Sequence, residues 1–167
     1  SIGGLISPES MAIFRRYLSQ HGVDMAGVTE QELKSVRRLL SFRLGGERCA
    51  LPLSLVDRVE EYGSAVNLPE GDDTLAGVVQ IKGEVAPVLD MRDMLGVKAG
   101  DTSAYVVVRI QGAPWALVVD KVDRVIEIAE KDITPVRTSQ NDYLTEVGRL
   151  DGELVSLLSL EPLARAA

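Results

Sequence analysis

An internal repeat is the feature of this sequence that most limits its possible folds. The tetrapeptide Val-Asp-Arg-Val occurs at residues 56–59 and again at 122–125, an offset of 66 residues (122 − 56). A Gly-Glu-aliphatic triplet at 83–85 returns at 152–154, an offset of 69 residues (152 − 83). Repetition at a nearly fixed offset indicates two similar units related by a pseudo-twofold axis.

The repeated segments are organised as hairpins, because apolar residues alternate with polar ones on both sides of a glycine-containing turn. In the hairpin that follows Gly77, Gly83 supplies the positive φ that a two-residue turn requires. The predicted strand pairs are 40–44 with 49–53, 77–81 with 85–89, 105–110 with 115–119, and 146–150 with 154–160. Four or five short strands per copy would close into a small barrel without exposed edges. Two barrels side by side would leave a groove between them.

Residues 1–38 have a different pattern, which predicts an N-terminal helical extension before a β domain at 39–167. Ser7-Pro8 predicts a helix start, Gly22 predicts a helix end, and residues 29–32 match the pattern of a capping box. The second apolar stripe consists of Leu33, Val36 and Leu40. We therefore expect two short amphipathic helices, which either pack on the domain or form an arm that binds a partner.

Composition excludes several classes of protein. The chain has 167 residues, enough for a substantial core, and one cysteine, Cys49, so it has no internal disulfide and suits a cytoplasmic setting. A net charge of −7 argues against nucleic-acid binding. No apolar run approaches the length of about 18 residues that membrane insertion requires.

Motifs for catalysis, cofactors and metals are weak or missing. His21 is the one histidine, and neither a phosphate-binding loop nor a Cys/His metal pattern occurs. Acidic residues are abundant, for example Asp90, Asp93, Asp120 and Asp123, but such residues more often cap turns and ion pairs than act as acids or bases. A binding or scaffold module is the leading class. A carboxylate hydrolase on a β-barrel stays as the alternative, and it predicts a deep pocket with two facing carboxylates.

The segment 77–96, G-V-V-Q-I-K-G-E-V-A-P-V-L-D-M-R-D-M-L-G, resembles the G-V-x-N-L-R-G-x-V-x-P-V-x-D-L-R-x-x-L-G signature of CheW-like domains. The resemblance extends over about 39–163 and includes hairpins similar to the family's first and last, at 40–47 and 150–155. Such domains occur in chemotaxis coupling proteins and in the regulatory domain of the chemotaxis histidine kinase.

The resemblance implies a mainly β fold of two five-stranded, SH3-like β-barrel subdomains. It also implies a non-catalytic, cytoplasmic adaptor without cofactors that bridges the cytoplasmic tip of a chemoreceptor and the regulatory domain of a chemotaxis histidine kinase. A second interpretation keeps the fold but takes the chain as the regulatory domain of a larger signalling protein, either a kinase or an adaptor with a receiver domain.

Seven positions match the family's contact region around the groove between subdomains. They are Val56, Val59, Gly77, Gln80, Lys82, Gly83 and Val125. Gln80 and Lys82 stand where the family usually has asparagine and arginine, and a lysine cannot make the forked hydrogen bonds of an arginine. Each position also has a purely structural interpretation: the valines as core, the glycines as backbone turns, and Lys82 as a solvated turn residue.

Overall fold

The computed structural model describes residues 35–63, 75–98, 100–137 and 141–166. Two 3-10 turns, Leu53–Leu55 and Glu130–Asp132, and one short helix, α1 (Glu161–Ala166), accompany the strands. The strands are β1 (Val36–Leu44), β2 (Glu47–Pro52), β3 (Val56–Glu61), β4 (Leu75–Ile81), β5 (Glu84–Leu89), β6 (Ala104–Ile110), β7 (Ala113–Val119), β8 (Lys121–Ala129), β9 (Ile133–Pro135), β10 (Leu144–Leu150) and β11 (Glu153–Leu158). The predicted helices before Ser35 lie outside the described residues.

The strands form two sheets. Sheet A has the order β8-β1-β2-β11-β10-β9, and sheet B has the order β3-β6-β7-β5-β4. The prediction of a mainly β protein with two β subdomains is therefore confirmed. Within the described ranges no ladder joins the two edge strands of either sheet, so closure into barrels stays a prediction.

The two sheets exchange hairpins between the sequence copies. The first copy supplies β1 to β5 and the second supplies β6 to β11, yet β1 and β2 belong to sheet A while β6 and β7 belong to sheet B. The two joints are parallel and equivalent, since Ala50 pairs with Leu157 and its repeat counterpart Ala116 pairs with Val88. The duplication is real, but each structural unit combines the first hairpin of one copy with the remaining strands of the other.

The hairpins share one kind of turn, with two residues in the left-handed region. Lys82 and Gly83 have φ values of 49° and 82°, and Asp151 and Gly152 have values of 52° and 76°. These angles are those of type I′ turns, whose twist matches that of the flanking strands. The glycine predicted to be necessary at the second turn position is found there.

Three clusters of buried side chains hold the sheets together. The central cluster lies between the sheets and includes Phe42 and Leu44 from sheet A and Val106 and Val108 from sheet B, all of them fully buried. Each sheet also has its own smaller cluster on its other face, around Ile128 in sheet A and around Tyr105, Val107 and Val118 in sheet B. Strand β6 is therefore buried on both faces, which explains its unbroken β-branched run.

Strand β1 begins earlier than the sequence predicted. Val36 pairs with Ala129 of β8, and Leu40 is buried in the central cluster. The helical stripe proposed through Val36 and Leu40 was wrong at these two residues, because pairing with β8 outweighs local periodicity. The proposed boundary between residues 38 and 39 thus falls inside β1.

Asp120 connects the sheets where the chain passes from β7 to β8. Its Oδ2 accepts a hydrogen bond from the Gly45 backbone N–H of the β1–β2 turn, at 2.6 Å, and its own N–H donates to the Arg43 carbonyl at 3.0 Å. Its Oδ1 accepts from Arg92 Nη1 at 2.7 Å. Gly45 must be glycine for this packing, since its φ is 58° and an added Cβ would lie 2.2 Å from the Lys98 carbonyl oxygen.

Candidate partner-binding surface

The β4–β5 turn brings three of the predicted contact residues together at one exposed end of sheet B. Gln80, Lys82 and Gly83 are all exposed, and the Lys82 side chain is 69% accessible. Gln80 pairs directly with Val85 across the hairpin, so the two side chains lie on the same face. Together these residues form a surface of mixed polar and aliphatic character, which we call the hairpin face (Gln80, Lys82, Gly83, Val85).

Gly77 is placed differently from the other hairpin residues. It is buried, has a φ of 138°, and lies at a register shift in the β4–β5 ladder. Its position favours a role in backbone geometry, because glycine is the residue that adopts this conformation without strain. A direct contact between Gly77 and a partner stays a prediction.

The three predicted valines lie on strand faces that point toward the opposite sheet. Val56 and Val59 pair with Val108 and Val106, which belong to the central cluster. Val125 pairs with Leu40, which also belongs to it. Because directly paired residues share a face, all three valines border the space between the sheets. Val56 is half-buried against the core, whereas Val59 and Val125 are 44% and 45% exposed.

Val85 and Leu154 are two exposed aliphatic residues that the sequence prediction missed. Both are the most exposed of the large apolar side chains in the described ranges, at 63% and 60%. Val85 shares a strand face with Leu89, and Leu154 shares one with Leu158, and both of these leucines belong to the central cluster. The exposed residues therefore lie on the inner face of each sheet, beyond the part that the other sheet covers.

These exposed residues repeat with the sequence duplication. Val59 and Val125 occupy equivalent positions, and so do Val85 and Leu154. The polar neighbour changes, because Arg149 stands opposite Leu154 where Gln80 stands opposite Val85. The molecule thus presents two related aliphatic margins, which we define as Val59 and Val85 on sheet B and Val125 and Leu154 on sheet A. The repeat could have revealed these residues in the sequence, because Val85 and Leu154 hold the same place in the strand that follows each turn.

Ion pairs join the hairpin face to its neighbouring strands. Lys82 Nζ lies 3.9 Å from Glu60 Oε1 of β3. Arg109 of β6 pairs with both Asp57 and Glu84 and holds the pKa of the Glu84 carboxyl below its usual value. These contacts fix the position of the turn relative to β3.

An equivalent cluster lies in sheet A. Arg43 pairs with Asp123 at 3.5 Å and with Glu153 at 3.1 Å, and each of these three residues is the repeat counterpart of one in the Arg109 cluster. In both clusters the arginine side chain also donates to the carbonyl of the turn glycine, Gly46 or Gly112. The duplication therefore extends to the charged contacts as well as the strands.

Three of the acidic residues considered for catalysis, Asp90, Asp120 and Asp123, are engaged with arginines. Burial acts to raise the pKa of Asp90, but hydrogen bonds from the Arg92 side chain and backbone outweigh it, so this pKa lies below its ordinary value. Asp120 shares the same guanidinium, and Asp123 pairs with Arg43. A general acid needs a raised pKa, whereas the pKa of Asp90 is lowered, which favours its ionised form.

A pocket of about 240 Å³ lies between α1 and the start of β10, away from the predicted contact residues. Two carboxylates line it, Asp142 and Glu161, and both lie within 4 Å of an Arg165 guanidinium nitrogen. This shared pairing does not match the facing carboxylates that the hydrolase alternative predicts. In the described part of the chain no group of His, Cys, Asp or Glu could hold a metal ion, and no helix is long and apolar enough to cross a membrane.

Cys49 is an inert thiol in this structure. It is 1% exposed within the central cluster, and burial raises its pKa to about 12. A thiol with this pKa is not a nucleophile near neutral pH.

Comparisons with known proteins agree with the fold. A family model described as the CheW-like domain matches residues 38–167. The chain is 29% identical to the chemotaxis protein CheW of Helicobacter pylori, over 84% of this chain and 88% of that protein. It is 24% identical to the chemotaxis protein CheW of Rhizobium meliloti, over 75% of this chain and 85% of that protein.

A solved structure is similar as well. The crystal structure of the scaffolding protein TtCheW from Thermoanaerobacter tengcongensis has a TM-score of 0.65 and 26% identity to this chain, and the match covers 74% of this chain and 89% of that one. The family model covers most of the sequence and the same strands that form the two sheets. The chain therefore belongs to the CheW-like domain family.

Proposed function

We propose that this chain is a non-catalytic chemotaxis adaptor that couples the cytoplasmic tip of a chemoreceptor to the regulatory domain of a chemotaxis histidine kinase. Family membership supports a coupling role in chemotaxis. The observation that carries the proposal is the pair of related aliphatic margins on different sheets. An adaptor needs two surfaces that can be occupied at once, and these margins supply them.

The receptor tip, a helical bundle, would contact the margin of sheet B. Val59, the hairpin face and the half-buried Val56 offer aliphatic contacts beside the exposed basic side chain of Lys82. Exposed aliphatic residues at the border of a core suit the apolar stripe of a helix. Lysine provides a point charge here rather than a planar fork, so the receptor contact at this position would rely on one charged hydrogen bond.

The kinase regulatory domain, itself expected to be built of similar β units, would dock on the margin of sheet A. Leu154 and Val125 are its exposed aliphatic residues, and Arg149 lies beside Leu154. A contact of this kind joins barrel to barrel through exposed strands. Coupling would then follow from the relative placement of the two partners, without any covalent step.

Calorimetry at moderate salt tests the proposal, with a chemoreceptor-tip fragment and a kinase regulatory domain from the same organism titrated separately. We expect the full chain to bind both. Failure to bind either partner would overturn the proposed function. Repeating the titrations without residues 1–34 measures what that segment contributes to each affinity.

The variant Lys82→Glu assigns the receptor face. It should weaken binding of the receptor tip and leave binding of the kinase domain and the melting temperature nearly unchanged, since the side chain is exposed. The matched control is Asp151→Lys, a charge reversal at the equivalent turn position of sheet A, where φ is similar. An equal loss of receptor binding in both variants would contradict the assignment.

A further inference from the structure

The two places where the chain passes between the sheets differ in kind. In the described residues it passes from sheet A to sheet B through the turn Leu53–Leu55, whose leucines pack against the central cluster. It returns through Asp120, whose carboxylate is held from both sides. The leucines of the first passage pack through apolar contacts, which are not directional, whereas the Asp120 side chain of the second passage accepts directional hydrogen bonds.

Arg92 is the residue that holds the second passage. Its side chain is 9% exposed, and Nε and Nη2 donate to the two oxygens of Asp90 at 2.9 and 2.7 Å. Nη1 reaches the Gly100 carbonyl at 3.3 Å and Asp120 Oδ1 at 2.7 Å. The guanidinium thus links the end of β5 and the segment before β6, both attached to sheet B, to the residue that is bonded to the β1–β2 turn of sheet A.

The other arginine clusters do not have this arrangement. Arg37 holds Glu130 and Glu146, and all three belong to sheet A or its connecting turn. Arg109 holds Asp57 and Glu84, both in sheet B. Arg43 likewise stays within sheet A. Among the ion pairs of the described residues, that of Arg92 with Asp120 acts at the passage between the sheets.

We propose that Arg92 and Asp120 form a pin that fixes the angle between sheet A and sheet B, and that Arg92 is thereby a positioning residue for the two partner surfaces. The apolar central cluster alone would permit the sheets to slide, because hydrophobic contact is satisfied by many packings of similar area. The ion pair of the pin selects one of these packings of the two sheets. This inference rests on the proposed function, since it matters for coupling only if the two margins carry different partners.

Distance measurements on the free protein test the pin directly. Spin labels attached at Ala113→Cys in sheet B and Asp132→Cys at the end of sheet A report the separation of the sheets, and both positions are exposed. The native Cys49 is buried and stays unlabelled. In the wild-type background, double electron–electron resonance should give a single narrow distance distribution.

The variant Asp120→Asn keeps the shape but cannot satisfy both neighbours, because its one oxygen can accept from Gly45 or from Arg92 but not from both. Arg92→Lys keeps the charge and loses the fork. Each should broaden the distance distribution or add a second peak. Arg37→Lys is the matched control, which loses a fork within one sheet and should keep the narrow distribution. Should Asp120→Asn fold poorly, Arg92→Lys gives the same measurement.

A binding measurement separates this inference from the proposed function. The pin variants should retain the affinity for each partner alone, while the effect of a bound receptor fragment on kinase-domain affinity should change by about fivefold or more, the usual scale of coupling between sites. Narrow wild-type-like distances in both folded pin variants would overturn the pin. Absence of partner binding by the wild type would overturn the proposed function and leave the distance result standing.

Discussion

Sheet A and sheet B carry the same arginine–carboxylate cluster at equivalent positions. The residues that accompany the cluster are charged and polar in sheet A and apolar in sheet B. In sheet A, the buried Arg48 donates to Ser41 Oγ at 3.0 Å and pairs with Glu153 at 3.1 Å. The equivalent positions in sheet B hold Pro114 and Val107, and Val107 is part of an apolar cluster. The same surface can thus be built on a charged or an apolar interior, and the stability of sheet A should depend on charge where that of sheet B depends on packing.

Substitutions in the central cluster, which both sheets share, should give the largest difference in free energy of unfolding between equivalent positions. Phe42 of sheet A and Val108 of sheet B are repeat counterparts, and both are fully buried there. Phe42→Ala should reduce the free energy of unfolding by about 3–5 kcal/mol because it leaves a large cavity. Val108→Ala removes fewer atoms and should cost less. Equal losses in urea titrations would show that the cluster collapses around Phe42→Ala.

Arg48 provides the next test, since it has no charged counterpart in sheet B. Arg48→Met should destabilise the protein by about 2 kcal/mol, because Ser41 and Glu153 lose a charged donor and Asp123 loses a nearby positive charge. Pro114→Ala, at the equivalent position, should stay within about 0.5 kcal/mol of the wild type. If the urea titration shows Arg48→Met to be more stable than the wild type, desolvation of the Arg48 guanidinium costs more free energy than its hydrogen bonds and ion pairs contribute.

The dependence of stability on acid pH compares the two sheets again, and the expected effect is smaller than those above. Hydrogen bonds from Arg37 hold the pKa of the Glu146 carboxyl below its usual value. A lowered pKa in the folded state adds stability above the unfolded-state pKa of about 4.3, and this stability is lost as pH falls through the folded-state value. Arg37→Gln should therefore cost about 0.2–1 kcal/mol at pH 7, since the pair is partly exposed, and nothing in strong acid.

Melting temperatures measured from pH 7 down to about pH 3 would show this convergence of Arg37→Gln with the wild type. Arg109→Gln is the sheet B counterpart of the test, because Arg109 lowers the pKa of Glu84 in the same direction. The Glu84 side chain is more exposed than that of Glu146, at 43% against 28%, so the difference in melting temperature between Arg109→Gln and the wild type should change less with pH than for Arg37→Gln. If the melting temperature of a variant differs from that of the wild type by the same amount at all pH values, the arginine replaced in that variant acts through packing alone.

The smallest effect on stability is expected at the two margins. Val85→Ser and Leu154→Ser change exposed side chains and should leave the free energy of unfolding within about 0.5 kcal/mol of the wild type. Their binding effects should differ, with the receptor tip weakened by the first and the kinase domain by the second. Calorimetry with both partners checks this, and a loss of both partners in one variant would contradict a division of labour between the sheets.

Much of the strand pattern was predictable from the sequence, because the turns at Gly83, Gly112 and Gly152 require positive φ and the strands between them alternate. The exchange of hairpins was not, since local patterns do not say which distant strand completes a sheet. For the same reason Val36 and Leu40 matched a helical stripe, although pairing with β8 makes them strand residues.

The exposed contact residues were predictable in part. Resemblance to a family led to Gln80, Lys82, Val59 and Val125, which the structure shows on exposed positions, and whether they contact a partner stays a prediction. Val85 was missed because alternation grouped it with Pro87 and Leu89 as one apolar face. The strand runs past the edge of the central cluster, so its far end is exposed while Leu89 is covered.

The hairpin exchange also sets the order in which the chain can complete its sheets during synthesis. Sheet B uses consecutive strands, β3 to β7, so all of its residues are available once Val119 has been made. Sheet A needs β1 and β2 at the start and β8 to β11 at the end, so its first hairpin must wait for the last strands. Long waits of this kind slow folding and leave strand edges unpaired. The earliest part of the domain to be translated is thus among the last to be protected.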